Sequence, residues 1–354
     1  MRVDRKKLLS VLELVKPGLA NSEVIDQSSS FVFDEERVMT YNDEISISCP
    51  IKDMDITCAI PAERFHRLLT RVNKDEIELI HDKDQLEAHW GGARAGLSVE
   101  GEVKLPLEEL GEVKDWKKLP DRFISGLQLC VPICSNNLSN PLLTCVHVRK
   151  DGKIESSNGY RVVQYTTAGE IPCGDKGLLI PASSAKELFK YDDVKWIAHS
   201  EGWVHFKTED DVVFSCRVFE GEYPSAKLDS ILPVDGPTLR LPRGMQEALF
   251  RAQIFSQTGL EREEEVVIHL EKGRVIVRAK DKLGWFEETM RARYKGNTIE
   301  FSVHPVFLAD VLTTTRKCIL GENRIKFSGE YWEHVVALWG VPEEEVQEEE
   351  EEVD

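Results

Sequence analysis

The chain lacks the segments that mark a membrane or secreted protein. No apolar run in its 354 residues approaches the roughly 20 residues that a helix needs to cross a bilayer. The first residues are charged, and they lack the apolar core and small-residue cleavage site of a signal peptide. We therefore expect a chain that makes no contact with a membrane.

Paired cysteine motifs are also missing. The eight cysteines are scattered and form no C-x-x-C knuckle, which argues against a zinc site. Cys145 and His147 could hold a metal, but alternation on a predicted strand places both on one face without one. Cysteines in apolar surroundings are typical of a reducing compartment, so we expect a cytoplasmic protein with no metal and no cofactor.

Motifs of common enzyme classes do not occur in the sequence. GGARAG at 91–96 has the glycines of a phosphate loop, but Leu97 follows it instead of Lys and Ser or Thr. Neither a G-x-S-x-G nucleophile elbow nor an H-E-x-x-H zinc motif is found. The sequence therefore indicates a binding or structural protein and not an enzyme.

Positive charge is scarce overall. Lys and Arg number 45 against 63 Asp and Glu, which gives a net charge of -18. Half of this charge lies in residues 343–354, EEEVQEEEEEVD, which we expect to be a disordered acidic tail. The tail either solubilises the chain or competes with basic partners or DNA. An acidic chain is ordinarily repelled by nucleic acid, so any nucleic-acid function needs a local basic surface.

One pattern recurs three times at nearly equal intervals. A short apolar strand ends at a small or helix-starting residue and leads into an amphipathic helix, at Pro61, Pro181 and His304. The steps between them are 120 and 123 residues, and a repeat of this length is a whole domain. We predict domains at 1–117, 118–236 and 237–342, followed by the tail.

Each copy is predicted to hold two helices and about six or more strands, which is an α+β class. The helices are predicted at 4–17, 61–71, 126–137, 181–190, 240–253 and 304–318. Hairpin turns at Gly152 and Gly273 match between the second and third copies. GGARAG is predicted to be a turn into the strand that starts at Leu97.

Basic residues concentrate on the predicted helices, each of which is neutral or positive. A basic face can attract phosphate although the whole chain is acidic, because exposed charges are screened beyond about 10 Å. The alternative is that basic residues simply favour solvated helix faces. The cations concerned are Arg5, Lys6, Lys7, Lys16, Arg64, Arg67, Arg71, Lys186, Lys190, Arg240, Arg243, Arg251, Arg316 and Lys317.

Four segments of the chain resemble the bacterial DNA polymerase III beta subunit, the three-domain sliding clamp. They are LLTCVHVRKDGKIESSNGYRVV, LLIPASSAKELFK, FEGEYPSAKLDSILP and FEETMRARYKGNTIEFSVHPVFLADVL, and the resemblance covers roughly 1–341. The sequence departs from the family at Asn158, Tyr160, Ala337 and Trp339 and in the acidic tail. These departures suggest a phage or mobile-element version.

The resemblance implies three repeated DNA-clamp domains, each with two helices packed on antiparallel sheets. It also implies a ring that forms as a head-to-tail homodimer, with the helices and the cations named above facing double-stranded DNA. Binding would be topological and independent of base sequence. A DNA polymerase and a clamp loader are the implied partners. The alternative is a clamp paralogue that binds partners as a regulator or decoy without encircling DNA.

A pocket for partner peptides is the second site that the resemblance implies. An apolar floor with a few polar groups suits a peptide anchor. The alternative is that Leu143, Val162 and Val335 belong to the core. The implied pocket residues are Leu143, Ser157, Gly159, Tyr160, Arg161, Val162, Pro233, Val335, Ala337 and Trp339.

Overall fold

The computed structural model describes residues 1–52, 54–111, 113–256 and 264–340. The predicted acidic tail therefore lies outside the described residues. The chain divides into two compact units. The first unit holds Met1–Ser156 and Tyr165–Tyr223, and the second holds Ser157–Gln164 and the residues from Pro224 onward. Within the described ranges, no helix is long and apolar enough to cross a membrane.

The order of secondary-structure elements recurs three times along the chain. A short strand is followed by a helix, four strands, a second helix and three strands, and an extra helix, α5, precedes the third copy. The described helices are α1 Arg5–Val15, α2 Ala62–Arg71, α3 Phe123–Cys130, α4 Ala182–Glu187, α5 Ser225–Ile231, α6 Met245–Gln253 and α7 Pro305–Leu312. Short 3-10 turns extend α1, α3 and α4.

Eight of the strands in the described ranges belong to each copy. In the first copy they are β1 Arg2–Asp4, β2 Ser30–Asp34, β3 Arg37–Tyr41, β4 Ile45–Pro50, β5 Cys58–Pro61, β6 Glu76–Asp82, β7 Gln85–Trp90 and β8 Ala93–Ser98. In the second they are β9 Lys117–Lys118, β10 Cys145–Val148, β11 Lys153–Ser157, β12 Arg161–Thr166, β13 Leu178–Pro181, β14 Val194–Ser200, β15 Trp203–Thr208 and β16 Val213–Arg217. In the third they are β17 Thr238–Arg240, β18 Val266–Glu271, β19 Arg274–Lys280, β20 Trp285–Arg291, β21 Ile299–Val303, β22 Lys317–Leu320, β23 Arg324–Ser328 and β24 Trp332–Ala337.

Antiparallel pairing organises the sheets of both units. The first unit contains a four-stranded sheet in the order β1-β6-β7-β8, an eight-stranded sheet in the order β5-β2-β3-β4-β16-β15-β14-β9, and the strands β13-β10-β11. The eight-stranded sheet joins two copies, since β4 pairs with β16 in a register that places Ile47 opposite Phe214. The second unit contains the sheet β20-β19-β18-β21 and the strands β24-β23-β22-β17, with β12 beside β24.

Capping and apolar spacing explain where the helices form. The Asp4 carboxylate accepts hydrogen bonds from the backbone N–H groups of Lys6 and Lys7 at the start of α1, and the bond from Lys7 lowers the pKa of Asp4. Leu8 and Leu12 are one turn apart on α1, and both are buried. In each copy the two helices thus present an apolar face to the strands.

Separate cores support the two units. In the second unit α6 and α7 pack together over the strands, and Leu249, Leu308 and Phe327 are fully buried there. In the first unit Tyr41 and Trp203 are buried with ring centroids 5.9 Å apart, which links the strands of two copies. Burial of large side chains at such junctions is the main source of stability.

Several predicted boundaries are wrong. Helix α3 begins at Phe123, earlier than the predicted 126–137, and Pro132 lies beyond its end. Strand β8 starts at Ala93, so only Gly91 and Gly92 of GGARAG form the predicted turn, and its other four residues belong to the strand. The short strands β1, β9 and β17 and helix α5 were not predicted. Their short lengths leave too little pattern for a sequence to reveal.

Candidate nucleic-acid interface and peptide-binding site

Three aromatic side chains form a cluster in the second unit. The ring of Tyr160 lies 6.2 Å from that of Phe307 and 6.1 Å from that of Trp339, centroid to centroid. All three side chains are partly exposed. Aromatic groups held at such distances offer a rigid apolar surface of the kind that receives peptide anchors.

A buried arginine packs against one ring of this cluster. The guanidinium of Arg161 lies 4.5 Å from the ring centroid of Phe307 and is 2.8 Å from the carboxylate of Asp310. Only 7% of the Arg161 side chain is exposed. On the same ring, the imidazole of His304 stacks at 3.8 Å. Phe307 is therefore fixed by a cation and an imidazole, and it holds the aromatic surface in one position.

A hydrogen-bonded turn presents Tyr160. The Asn158 side-chain oxygen accepts the backbone N–H groups of Tyr160 and Arg161, each at 3.0 Å. Gly159 adopts a φ of 93°, which a residue with a Cβ rarely takes, and its N–H donates to the Ser157 hydroxyl. The Tyr160 carbonyl oxygen in turn accepts the N–H of Ala337 at 2.8 Å. The turn thus connects Tyr160 to the strand that leads to Trp339.

Beside Arg161, the imidazole of His334 is buried on β24. Burial lowers the pKa of His334 to about 3, and the positive charge of Arg161 adds to this effect. His334 is therefore neutral at physiological pH. A neutral imidazole avoids placing a second buried positive charge next to the guanidinium of Arg161.

The predicted pocket residues differ in how far they are exposed to solvent. Ser157, Val162 and Val335 are buried, so the core interpretation holds for the two valines. The described positions of the others are as follows: Gly159 and Pro233 are exposed, Tyr160, Ala337 and Trp339 are half-buried, Arg161 is buried, and Leu143 is half-buried in the first unit.

Sequence reasoning missed three residues of this site. His304, Phe307 and Asp310 follow one another at steps of three, starting at the N-cap of α7, and so lie on one helix face. That spacing is visible in the sequence. The sequence pattern predicts only an amphipathic helix here, because the contacts of these side chains depend on residues distant in the sequence.

In the first unit the predicted cations differ in how they are paired. Arg5 is only 13% exposed and donates to the carbonyl oxygens of Leu69 and Lys74, so it caps the end of α2 and is largely withdrawn from solvent. Four others form ion pairs, namely Lys6 with Asp75, Lys16 with Glu13, Arg67 with Glu63 and Lys190 with Glu187. Lys7, Arg64, Arg71 and Lys186 are exposed and form no ion pair with a described residue.

The third copy corrects the predicted placement of its cations. Arg240 ends β17, Arg243 precedes α6, and Arg316 and Lys317 follow the end of α7. Helix α7 carries only Asp310, so the prediction that every helix is neutral or positive is wrong for α7. These helices are shorter than predicted, and short loops and the neighbouring strands β17 and β22 hold the predicted polar ends.

One cavity of about 470 Å³ brings three of these cations together with two more arginines. Arg240 and Arg243 come from the segment before α6, Arg291 and Arg293 from the end of β20, and Arg316 from the loop after α7. No carboxylate is among the described residues that line it. Within the described part of the chain, no three or more His, Cys, Asp or Glu side chains are grouped to hold a metal ion.

Solved structures of bacterial DNA polymerase sliding clamps are similar to this chain. The sliding clamp of Pseudomonas aeruginosa with griselimycin bound gives a TM-score of 0.83 at 17% identity, covering 96% of this chain and 99% of that one. The beta subunit from the DNA polymerase of Streptococcus pyogenes gives the same values. The sliding clamp of Bacillus subtilis gives 0.80 at 17%, covering 96% and 98%. The chain matches no protein-family model and no curated protein sequence.

The likeness establishes the fold. The chain has the sliding-clamp fold, with three repeats that each contain two helices packed on antiparallel sheets. The predicted fold class is confirmed on this point. The likeness extends over nearly the full length of both chains, so all three repeats contribute to it.

Proposed function

We propose that this protein is a DNA sliding clamp, a homodimeric ring that encircles duplex DNA without reading its sequence. It would hold a DNA polymerase on the template and be placed there by a clamp loader. On this proposal the protein acts in the cytoplasm, catalyses no reaction itself, and has domains at 1–117, 118–236 and 237–342. The fold supports this function, and a rule of strand pairing supports the ring.

The proposal depends on a rule of strand pairing that applies twice within the chain: the third strand after the first helix of one copy lies beside the last strand of the next copy. In the first copy, the third strand after the first helix is β4, and it lies beside β16, the last strand of the second copy. In the second copy, the corresponding strand is β12, and it lies beside β24, the last strand of the third copy. The corresponding strand of the third copy is β20, and the last strand of the first copy is β8. Both end their sheets.

A third use of the rule requires a second chain. Strand β20 of one chain would pair with β8 of its partner, and β8 of the first chain would pair with β20 of the partner. Each interface is then head-to-tail, and two of them close a ring of six copies. Free edge strands expose unpaired backbone groups, and pairing them between chains satisfies those groups.

Exposed apolar side chains lie at the start of β20. Leu283 is 96% exposed and Trp285 is 71% exposed. Exposure of a leucine and a tryptophan to water is unfavourable in a monomer, whereas burial of both side chains in an interface is favourable. We therefore place Leu283 and Trp285 in the contact with the partner chain.

Analytical ultracentrifugation tests the dimer. We expect the unaltered chain to sediment as a dimer and Leu283→Asp with Trp285→Asp to sediment as a monomer at the same concentration. Leu138→Asp is the matched control, because Leu138 is 83% exposed and belongs to the loop between α3 and β10, outside both edge strands. A dimer that persists in the double variant would contradict the placement of the interface.

Retention on circular DNA tests encirclement. We expect protein that has been loaded onto nicked circles with a clamp loader and ATP to stay bound through high-salt gel filtration. Linearising the DNA first should release it, because a ring slides off an open end. Equal retention on both forms would refute topological binding. A dimer that is lost equally from both forms would favour the alternative of a partner-binding paralogue.

Charge reversal on α2 tests the basic surface. Arg64→Glu with Arg71→Glu removes two exposed cations that form no ion pair with a described residue. We expect weaker binding to linear duplex and a salt dependence reduced by about two counterions. Lys272→Glu at the β18–β19 turn is the control, since a hairpin tip on another sheet should not contact the DNA.

The aromatic cluster is proposed as the surface for partner peptides. Tyr160→Ala and Trp339→Ala should each weaken binding of a polymerase peptide by 1 kcal/mol or more, on the order of tenfold, because they remove large apolar contact areas. Trp332→Ala serves as a control for loss of a partly buried tryptophan elsewhere in the unit. Unchanged affinity in the first two variants would show that peptides bind at another surface.

A further inference from the structure

Five arginines surround one cavity in the second unit, and nothing in the described part of the chain neutralises them. Arg240, Arg243, Arg291, Arg293 and Arg316 line the cavity, and no ion pair joins any of them to a described carboxylate. Among the described residues, Arg316 donates only to the carbonyl oxygen of Leu241. Guanidinium groups keep their charge at all physiological pH values, so this arrangement costs electrostatic free energy until an anion occupies it.

Other arginines of the same unit are paired. Arg251 forms a bidentate pair with Glu288, Arg278 pairs with Glu287 at 2.7 Å, and Arg274 pairs with Glu271. Two of these three lie on β19, next to β20, the strand that ends with Arg291. Arginines outside the cavity therefore have carboxylate partners, whereas those that line the cavity have none among the described residues. This contrast indicates a site for an anion that comes from elsewhere.

The chain itself contains a polyanion of suitable size. Residues 343–354 hold nine carboxylates and no basic residue. They begin three positions beyond Gly340, the last described residue, which belongs to the second unit. Fourteen extended residues span at most about 46–50 Å. A compact body of this unit's size has a radius of gyration of about 14 Å, so the segment is long enough to reach most of its surface.

We propose that residues 343–354 bind in the arginine cavity of the same chain. Glutamate carboxylates match the two-pronged geometry of guanidinium groups, and several pairs in one network hold together better than isolated surface pairs. Tethering adds to this, because the segment is present at a high effective concentration. The proposal goes beyond the clamp function and stands whether or not the chain encircles DNA.

Carbodiimide cross-linking of the full chain tests the proposal. Two exposed lysines adjoin the cavity, Lys295 two residues after Arg293 and Lys317 directly after Arg316. Carbodiimide joins a lysine to a carboxylate only when they are in contact. We expect mass spectrometry to find residues 343–354 joined mainly to these two lysines at low salt. Raising the salt to 1 M should suppress the links, because the screening length falls to about 3 Å.

Paired variants separate specific binding from general attraction. Arg243→Gln with Arg293→Gln removes two of the five charges, and we expect about tenfold fewer links to residues 343–354, as two lost ion pairs would give. Arg274→Gln with Arg278→Gln is the matched control, since it removes the same charge outside the cavity, and its link yield should stay unchanged.

Three results would overturn the proposal. The first is links that fall mainly on lysines of the first unit. The second is an equal loss of links in the cavity variant and the control. The third comes from mixing 15N-labelled with unlabelled chains: links that join differently labelled chains in the proportion that random mixing gives would show that the segment binds a neighbour. None of these readouts involves DNA, so the clamp function can fail or hold independently.

Discussion

His334 should stay uncharged at pH values where a free histidine is protonated. Burial lowers its pKa to about 3, compared with about 6.5 in an unfolded chain, and the nearby charge of Arg161 acts in the same direction. In the folded state the neutral form is therefore favoured down to acidic pH. The unfolded chain takes up a proton as the pH falls below 6.5, and this uptake favours unfolding.

The magnitude follows from the difference in proton binding. Above pH 6.5 protonation of His334 does not reduce the free energy of unfolding. As the pH falls from 6.5 toward 3, the free energy of unfolding decreases. Between pH 6.5 and pH 5.0 the loss is about 2 kcal/mol, since each unit of pH costs about 1.4 kcal/mol once the unfolded state is protonated. A variant without an ionisable group at this position does not show this loss.

Two measurements check this prediction. Histidine ring 13C–1H spectra should contain one resonance, absent in His334→Gln, that does not titrate between pH 7.5 and pH 5.0. Urea unfolding of the two proteins should differ in pH dependence by about 2 kcal/mol over that range, with the unaltered protein losing more stability in acid. A His334 resonance with a midpoint near 6.5 would refute the buried environment and the influence of Arg161. Replacing Arg161 with Met should raise the pKa of His334, because the repelling charge is gone.

Three further predictions follow from local geometry. Gly152→Ala should lower the free energy of unfolding in urea by about 3 kcal/mol, and Gly273→Ala by about 1 kcal/mol. Both glycines have a φ of 85°, but only at Gly152 would the new Cβ lie 2.4 Å from a backbone oxygen. Equal losses in the two variants would contradict this close approach. Asp310→Asn should destabilise the second unit by about 1–2 kcal/mol and weaken peptide binding, as it removes the carboxylate from a buried guanidinium; unchanged calorimetric stability would show that the pair contributes nothing. A thiol reagent should find eight reactive groups after unfolding but only slow reaction at the half-buried Cys134 and Cys173 of the native protein. At Cys173 the reaction should be roughly 100-fold slower than at a free thiol, since burial raises its pKa to about 11. Rapid labelling of any thiol in the native protein would contradict the described burial.

The repeated architecture could be predicted because its strongest elements are local. Helices α2 and α4 follow Pro61 and Pro181, and their apolar residues recur at helical spacing within ten residues of chain. By contrast, β1, β9 and β17 are two or three residues long, and each exists only because it pairs with a strand that follows a helix. Short strands of this kind carry no periodicity of their own. Their structure is set by a partner distant in sequence.

The candidate peptide surface was predicted in part for the same reason. Tyr160, Arg161 and Trp339 were identified through resemblance to a family, whereas Phe307 and Asp310 became visible only once α7 was placed beside them. Val162 and Val335 were included although they are core residues, since position in a family motif does not reveal which way a side chain points. Alternation along a strand would have required the register, which the sequence leaves open.

Charge was the least predictable property, because it depends on which residues are neighbours in space. In the first copy the cations of α2 lie on the helix itself, at Arg64, Arg67 and Arg71. In the third copy Arg240, Arg243 and Arg316 flank the helices, and they converge with Arg291, the last residue of β20, and Arg293, two residues after it. The two copies thus present positive charge by different means, although they share a fold. On the proposed clamp function, duplex DNA and the acidic residues 343–354 would both be attracted to the arginines of the third copy. Salt should therefore affect DNA binding by the full chain less than by a chain that ends at residue 340, since the acidic segment must leave the arginines before phosphates take its place.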